Sequence, residues 1–317
     1  MVILFLAIFI LHEISSAKIL VWLLIIERDQ FASIVTTGDV IRKRLTTVGD
    51  SSLGYNMLVR SKLEISCTEN WESLLSSFSS IIPGGTVENF EGVSLINSGL
   101  PSPEYNSVFA FDKPVNIEKL IDRIKELYVA SGLPWRLITL PNIVEDLKPL
   151  IEEMKLKLQE VSPGMILDPL PDKIPESSTG LNVREVSSLK DLKMFLEVSS
   201  LSFGHGLFSD DGKDVNIPLD QIGSSIPGAT LYIGLFGETP VATSLRYKTG
   251  NLAGIYFVGT VKKFRRRGYA EAITWRAIMD GAKEGCVWSC LEATEMGHPL
   301  YDHMGFKKVT EYQLYGL

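Results

Sequence analysis

Leu252-Ala253-Gly254-Ile255-Tyr256-Phe257-Val258-Gly259-Thr260-Val261 runs directly into Lys262-Lys263-Phe264-Arg265-Arg266-Arg267-Gly268-Tyr269-Ala270. The first stretch is mostly apolar and has the length of a buried strand. The segment that follows, Tyr269 to Lys283, has helical character. A strand, a basic turn containing glycine and a helix start together make an anion site. The first N–H groups of a helix have no partner within it, and the helix dipole places partial positive charge there. Gly268 lets the backbone approach a phosphate closely or take a positive φ. The chain carries a net charge of −7, so this dense basic run is a local feature and implies a local partner. On charge alone the run reads as a solvated face, a nucleic-acid patch or a phosphate loop.

Its position narrows the choice. Arg265-x-x-Gly268-x-Ala270, at a strand-to-helix junction, resembles the [Gln/Arg]-x-x-Gly-x-[Gly/Ala] loop of the GNAT superfamily of N-acetyltransferases. A second likeness lies downstream. Cys286 to Ala293 reads as a strand. Leu300-Tyr301-Asp302-His303-Met304-Gly305-Phe306 then resembles the Leu-Tyr-x-x-x-Gly-Phe segment of the same superfamily. A helix and a strand of ordinary length separate the two motifs, in the family's order.

The resemblance covers about Leu181 to Leu317 and implies a fold class: α/β (α+β), a mixed, mostly antiparallel sheet flanked by helices. It implies acetyl-coenzyme A as cosubstrate, transfer of its acetyl group to a primary amine by direct attack, and no metal. The amides of Arg266, Arg267, Gly268, Tyr269 and Ala270 would hold the pyrophosphate, with Arg265 as the first fixed position of the loop. The strand end at Val258, Gly259 and Val261 would pair with the pantetheine arm through its backbone. Tyr301 would be the general acid, because a leaving thiolate needs a nearby proton and a phenol holds one at neutral pH. The family commonly has Asn seven residues before that Tyr. Here Thr294 stands there and keeps a hydroxyl for the coenzyme contact. Glu295, next to it, either faces the acceptor amine or caps the short helix.

The general base is less defined. The strand from Leu252 to Val261 has no carboxylate, so Glu292 on the next strand is the base candidate. Tyr256 is a polar alternative, and His205 lies in a loop where relatives recruit acceptor-binding groups. The Asn-to-Thr departure and the missing carboxylate leave open a rival from another class, a non-catalytic module that binds or senses acetyl-coenzyme A.

Composition agrees with a globular chain: 317 residues, 45% hydrophobic and 22% charged, long enough for about two domains. The acidic balance argues against nucleic acid as a partner. Three cysteines are too few for a disulfide scaffold and fit a reducing compartment. A coenzyme A enzyme would find its donor in the cytoplasm, the expected location. Cys286, Cys290, His298 and His303 could be imagined as a zinc set, but both cysteines sit in an apolar strand, where core packing is the stronger expectation. Met1 to Ile26 holds two apolar runs, each too short to span a bilayer, and no basic start for a signal peptide. It reads as an apolar leader or a first strand rather than a membrane anchor.

From Glu27 to about residue 165 strand-like and helix-like pieces alternate, as in an α/β domain. Gly92 to Asn97, Ser107 to Phe111 and Trp135 to Leu140 read as strands. Asn116 to Ser131 is an amphipathic helix stopped at Gly132, and a second helix runs from Asn142 or Pro141 through Met154. No counterpart of the basic loop is present; the combination resembles a tandem form whose N-terminal copy has lost its coenzyme site and also fits an unrelated α/β domain. A Pro-rich connector occupies 166–178, and 179–317 is the domain with the motifs. Within it come strand Leu181 to Val186, helix Leu189 to Leu201, and a hairpin of Thr230 to Phe236 with Val241 to Tyr247.

Overall fold

The protein is described by a computed structural model, which defines residues 62–173, 179–203 and 226–317. The leader Met1 to Ile26, the stretch 27–61, residues 174–178 of the Pro-rich connector and His205 lie outside the described residues.

The first described element is helix α1 (Lys62–Ile81). Cys67, Trp71, Leu74, Leu75 and Phe78 line its buried stripe, spaced as one face of a helix requires. Then come β1 (Thr86–Phe90), β2 (Val93–Asn97), β3 (Asn106–Ala110), α2 (Ile117–Ile124), β4 (Arg136–Thr139), α3 (Lys148–Glu153) and β5 (Lys157–Leu167). The second half runs β6 (Asn182–Glu185), α4 (Leu189–Phe203), β7 (Ala229–Phe236), β8 (Thr239–Thr249), β9 (Leu252–Thr260), α5 (Tyr269–Lys283), β10 (Trp288–Glu292), α6 (His298–His303) and β11 (Lys307–Gly316).

All these strands join one 11-stranded sheet, in the order β1-β2-β3-β4-β11-β5-β10-β9-β8-β7-β6. It is mixed and mostly antiparallel, with parallel pairing only at β3/β4 and β9/β10, and helices flank it as the sequence implies. On one face α1 packs Trp71, Leu74 and Phe78 into a core that also holds Phe109, Phe195, Leu245, Tyr256 and Tyr312. On the other, Ile273, Ala277 and Ile278 of α5 pack with Tyr232, Ile255, Leu291, Tyr301 and Phe306. No helix among the described residues is long and apolar enough to cross a membrane.

The two halves run the same series. Three antiparallel strands, a helix, a strand parallel to the third, a short helix and a last strand occur as β1 to β5 and again as β7 to β11. The last strands are exchanged. β5 pairs with β10 of the second half, and β11 pairs with β4 of the first. β5 and β11 also pair with each other from Lys307↔Ile166 to Gly316↔Lys157.

Two boundaries differ from the sequence reading. The helix expected from Asn142 or Pro141 forms only at Lys148–Glu153. Its preceding residues are turns, and Pro149 falls in the first helical turn, where its missing N–H costs no hydrogen bond. Ile166 and Leu167, read as connector, continue β5, since their side chains are buried against opposite faces of the sheet.

Candidate active site

Between β9 and β10 the sheet comes apart. The two strands pair in parallel from Trp288↔Leu252 to Cys290↔Gly254, and there the register ends although both continue. A bulge in β9 accounts for the divergence. Leu245 of β8 faces Tyr256 and Thr243 faces Gly259, so Phe257 and Val258 share one partner position. Phe257 takes φ 50°, and its carbonyl accepts from Thr243 Oγ1 at 3.0 Å. A bulge of this kind bends a strand and increases its twist, and here it turns the end of β9 away from β10. Val258 is half-buried, whereas Gly259 is buried. A Cβ at Gly259 would lie 2.8 Å from Ser202 Cβ, so the glycine admits the end of α4 against the strand.

After Val261, which is buried, the chain makes a 3-10 turn over Lys262–Phe264 and then a loop into α5. Arg265 is turned inward. Its Nε donates to the Thr260 carbonyl at 3.0 Å and its Nη2 to the Ser202 carbonyl at 2.8 Å, which ties the loop to β9 and α4. Lys262, Lys263, Arg266, Arg267 and Gly268 are exposed. Lys263 and Arg267 both lie over the Phe264 ring, at 5.2 and 5.4 Å from its centre, which holds two cations beside the loop. Arg266 and Gly268 have φ 63° and 77°, so the loop reverses through left-handed geometry that costs a non-glycine residue about 1–2 kcal/mol. Gly268 precedes the first helical residue and offers no capping side chain. Among the described residues no backbone carbonyl accepts from the amides of Arg266, Arg267 or Gly268. The first α5 amides are unpaired by helix geometry. Tyr269 is buried with its ring 5.8 Å from Phe236, and Ala270 is half-buried. The result is a cradle of amide donors at a helix N-terminus, rimmed by cations.

Tyr301 sits on α6 and is buried, edge-on to Phe306 with ring centres 5.8 Å apart. Burial first, and the nearby Glu292 carboxylate second, push its phenol well above the usual range, so it stays protonated. Thr294 opens the turn before α6: its carbonyl accepts from His298 N at 2.9 Å and its Oγ1 from Gly297 N at 3.2 Å. Its hydroxyl proton is left for another partner. Glu295 beside it is exposed.

Glu292 closes β10 and faces the α1 side of the sheet. It lines a cleft of about 190 Å³ with Trp71, Tyr105, Arg136, Tyr256 and Phe257. Its carboxyl is raised above the ordinary range, chiefly by burial; Glu160 adds to the rise, while Ser162 and Arg136 oppose it. Tyr256 is differently placed: its hydroxyl donates to Asn70 Oδ1 at 2.6 Å and burial raises it strongly, so it is already engaged. Cys67, Cys286 and Cys290 are buried free thiols. No cluster of three metal-ligating side chains occurs among the described residues.

Several groups around the cleft were not foreseen. Trp71, Asn70 and Arg136 come from the first half, and Ser162 comes from the exchanged strand β5. None stands in a motif. They come near Glu292 through the packing of α1 and the strand order β4-β11-β5-β10.

A splayed pair of parallel strands ending at a helix N-terminus, within a mostly antiparallel sheet flanked by helices, is the fold of the GCN5-related N-acetyltransferases, and this chain has that fold. It is similar to a GCN5-related N-acetyltransferase from Kribbella flavida, with TM-score 0.57 and 13% identity over 79% of this chain and 95% of that one. It is also similar to a functionally unknown conserved protein from Staphylococcus epidermidis, with TM-score 0.50 and 16% identity over 75% of this chain and 96% of that one. No family model and no curated protein matches the sequence.

Proposed function

We propose that the chain is an acetyl-coenzyme A-dependent N-acetyltransferase acting on a primary amine. One observation carries the reading: the gap between β9 and β10 ends at the amide cradle of Arg266 to Ala270. A coenzyme has an extended arm joined to a diphosphate, and the gap and cradle suit those two parts in that order. The β9 backbone around Val258, on its side facing the gap, would bond the arm. Gly259 pairs with Thr243 of β8, and Val261, expected to take part, is already engaged, its N–H donating to the Val241 carbonyl at 3.0 Å and its carbonyl accepting from Phe264 N at 2.8 Å. The cradle, with Gly268 open to solvent and Arg265 fixing its shape, would hold the diphosphate, and Lys262, Lys263, Arg266 and Arg267 would attract it. Thr294 has a hydroxyl to offer at the arm's end.

The coenzyme supplies the acetyl group as a thioester. Glu292, raised above the ordinary carboxylate range chiefly by burial, accepts the proton that the attacking amine gives up. Tyr301 donates its phenolic proton to the departing sulfur. The first half is read as a second copy that holds no coenzyme, residues 27–165 joined through 166–178 to the catalytic 179–317. Two contrasts support this. β3 and β4 stay paired through Ala110↔Thr139 and open no gap. The start of α2 is capped by its own Asn116, whose side chain accepts from Lys119 N at 2.9 Å. The first half instead walls the acceptor cleft. The donor's availability places the reaction in the cytoplasm.

The test is thiol release from acetyl-coenzyme A in the presence of a panel of primary amines. Release that depends on an amine is expected. Coenzyme binding by calorimetry without amine-dependent release would instead assign a sensing module, and absence of binding would reject both.

A further inference from the structure

The cleft wall holds a line of groups that runs from Glu292 to solvent. β5 pairs with β10 at Glu292↔Gly164. Side chains alternate along a strand, so Ser162 and Glu160 share the face of Gly164 and hence of Glu292. Burial agrees: Ile166 of β5 packs with Cys290 of β10 on that same side, and Met165 and Leu291 pack together on the other. Ser162 is fully buried and its Oγ donates to Glu160 Oε1 at 2.9 Å. Glu160 is exposed. A buried hydroxyl thus stands on the same face as a half-buried carboxyl and already donates to a solvated one.

We propose that Glu292, Ser162 and Glu160 form a relay that carries the acceptor's proton from the cleft to water. The proposal rests on the acetyl-transfer reading, in which Glu292 takes that proton. The balance is simple. Protonated Glu292 gives its proton to Ser162 Oγ as the Ser162 hydroxyl proton passes to the Glu160 carboxylate. Glu160 releases it to solvent, and rotation of the Ser162 hydroxyl restores the starting arrangement. No oxidant or other reactant is consumed. Ser162 and Glu160 are positioning residues that act through Glu292. The geometry supplies a route by which a half-buried base can be reset between turnovers while the acceptor fills the cleft. Other charged or titratable groups bear on Glu292: Arg136 of β4 favours its ionised form, Glu104 lies beside Arg136, and Tyr256 and Tyr301 stay neutral.

Two measurements test it. Ser162→Ala should lower kcat about 10-fold or more, within the range of lost acid–base assistance, while KM for acetyl-coenzyme A and the amine stays put. Ser162→Thr, which keeps the hydroxyl, should restore most of the rate, and Glu160→Gln should lower it too. Independently of turnover, ¹³C NMR of glutamate-labelled protein follows the Glu292 carboxyl, assigned by its loss in Glu292→Gln. Its titration should move to higher pH in Ser162→Ala, because the hydroxyl, when turned toward Glu292, donates to the ionised carboxyl and favours it. An active wild type with unchanged kcat in Ser162→Ala, or a Glu292 titration that does not move, overturns the relay and leaves acetyl transfer standing. A wild type that releases no thiol with any amine overturns both.

Discussion

At the residue scale the proposed chemistry depends on two groups whose environment favours the protonated form of both, although one must give its proton and the other must be ionised to take one. Burial raises both Tyr301 and Glu292. For the phenol this keeps the proton in place across the working range, so Tyr301 sets no alkaline limb. Tyr301→Phe should lower kcat 10- to 100-fold with coenzyme affinity by calorimetry unchanged. An undiminished kcat would remove Tyr301 as the acid. For Glu292 the sign differs in its consequence, since a base must be ionised to act. Its raised value moves the ascending limb of kcat/KM to higher pH than an ordinary glutamate gives. Arg136 favours the charged form, so Arg136→Gln should shift that limb further up, and Glu292→Gln should abolish it. A limb at the same pH in Arg136→Gln would separate Arg136 from the base. What was legible in the sequence follows from the same geometry. Arg265, Gly268, Tyr301 and Gly305-Phe306 fall in short motifs, because each acts within one loop or helix. Asn70, Arg136 and Ser162 act across strands distant in the chain, and only the fold brings them together.

At the element scale the bulged strand β9 is kept in shape from behind. Asn70 of α1 donates to the Tyr247 carbonyl at 3.3 Å and to Thr249 Oγ1 at 2.7 Å, and accepts from Tyr256. It is fully buried, so one amide links β8 and β9 where the parallel pairing with β10 ends. Gly254 exists for this contact, since a Cβ there would collide with Asn70 Oδ1. Asn70→Ala leaves the Tyr256 hydroxyl and the Tyr247 carbonyl without this partner, at about 1–3 kcal/mol for each group stranded. Chemical denaturation should show at least that loss, and an unchanged midpoint would refute the linking role. The loop at α5 has its own requirement. Gly268→Ala combines an unfavourable φ with a Cβ 2.9 Å from Thr179 Cγ2, so it should weaken coenzyme binding by calorimetry more than it lowers the unfolding midpoint. The loop and α5 were legible because a glycine, a basic run and a helix start are local signals. α1 and β5 were not singled out, although α1 carries an apolar stripe and β5 ends in Met165-Ile166-Leu167. The reason for β5 is physical: its partners β10 and β11 lie more than a hundred residues away, and nothing local specifies an exchanged strand.

At the scale of the whole molecule the exchange of last strands makes the two halves depend on each other. Residues 62–173 without β11 would leave β4 and β5 with open edges, and residues 179–317 without β5 would leave β10 and β11 apart. The strands concerned are not peripheral. Tyr312 and Leu314 of β11 are buried in the core beside Trp71 and Phe109 of the first half, and Met165 of β5 packs with Leu291 of the second. Unpaired edges carrying such residues are templates for aggregation. Each half expressed alone should therefore be insoluble or lack a cooperative transition. A full chain with a protease site placed between Lys173 and Thr179 should behave differently. After cleavage the fragments should co-elute, unfold in one transition and keep the coenzyme affinity of the intact chain, because the exchanged strands β5 and β11 hold them together. Fragments that separate under native conditions, each with its own transition, would show that the halves fold independently and that the exchanged strands are not what holds the cleft together. On the proposed reading the same dependence gives the first half its use. A single copy supplies the cradle and Tyr301, but Arg136, Trp71 and the Ser162–Glu160 pair around Glu292 come from the other, so the catalytic half would have neither an acceptor wall nor a path for its proton without the strand it receives.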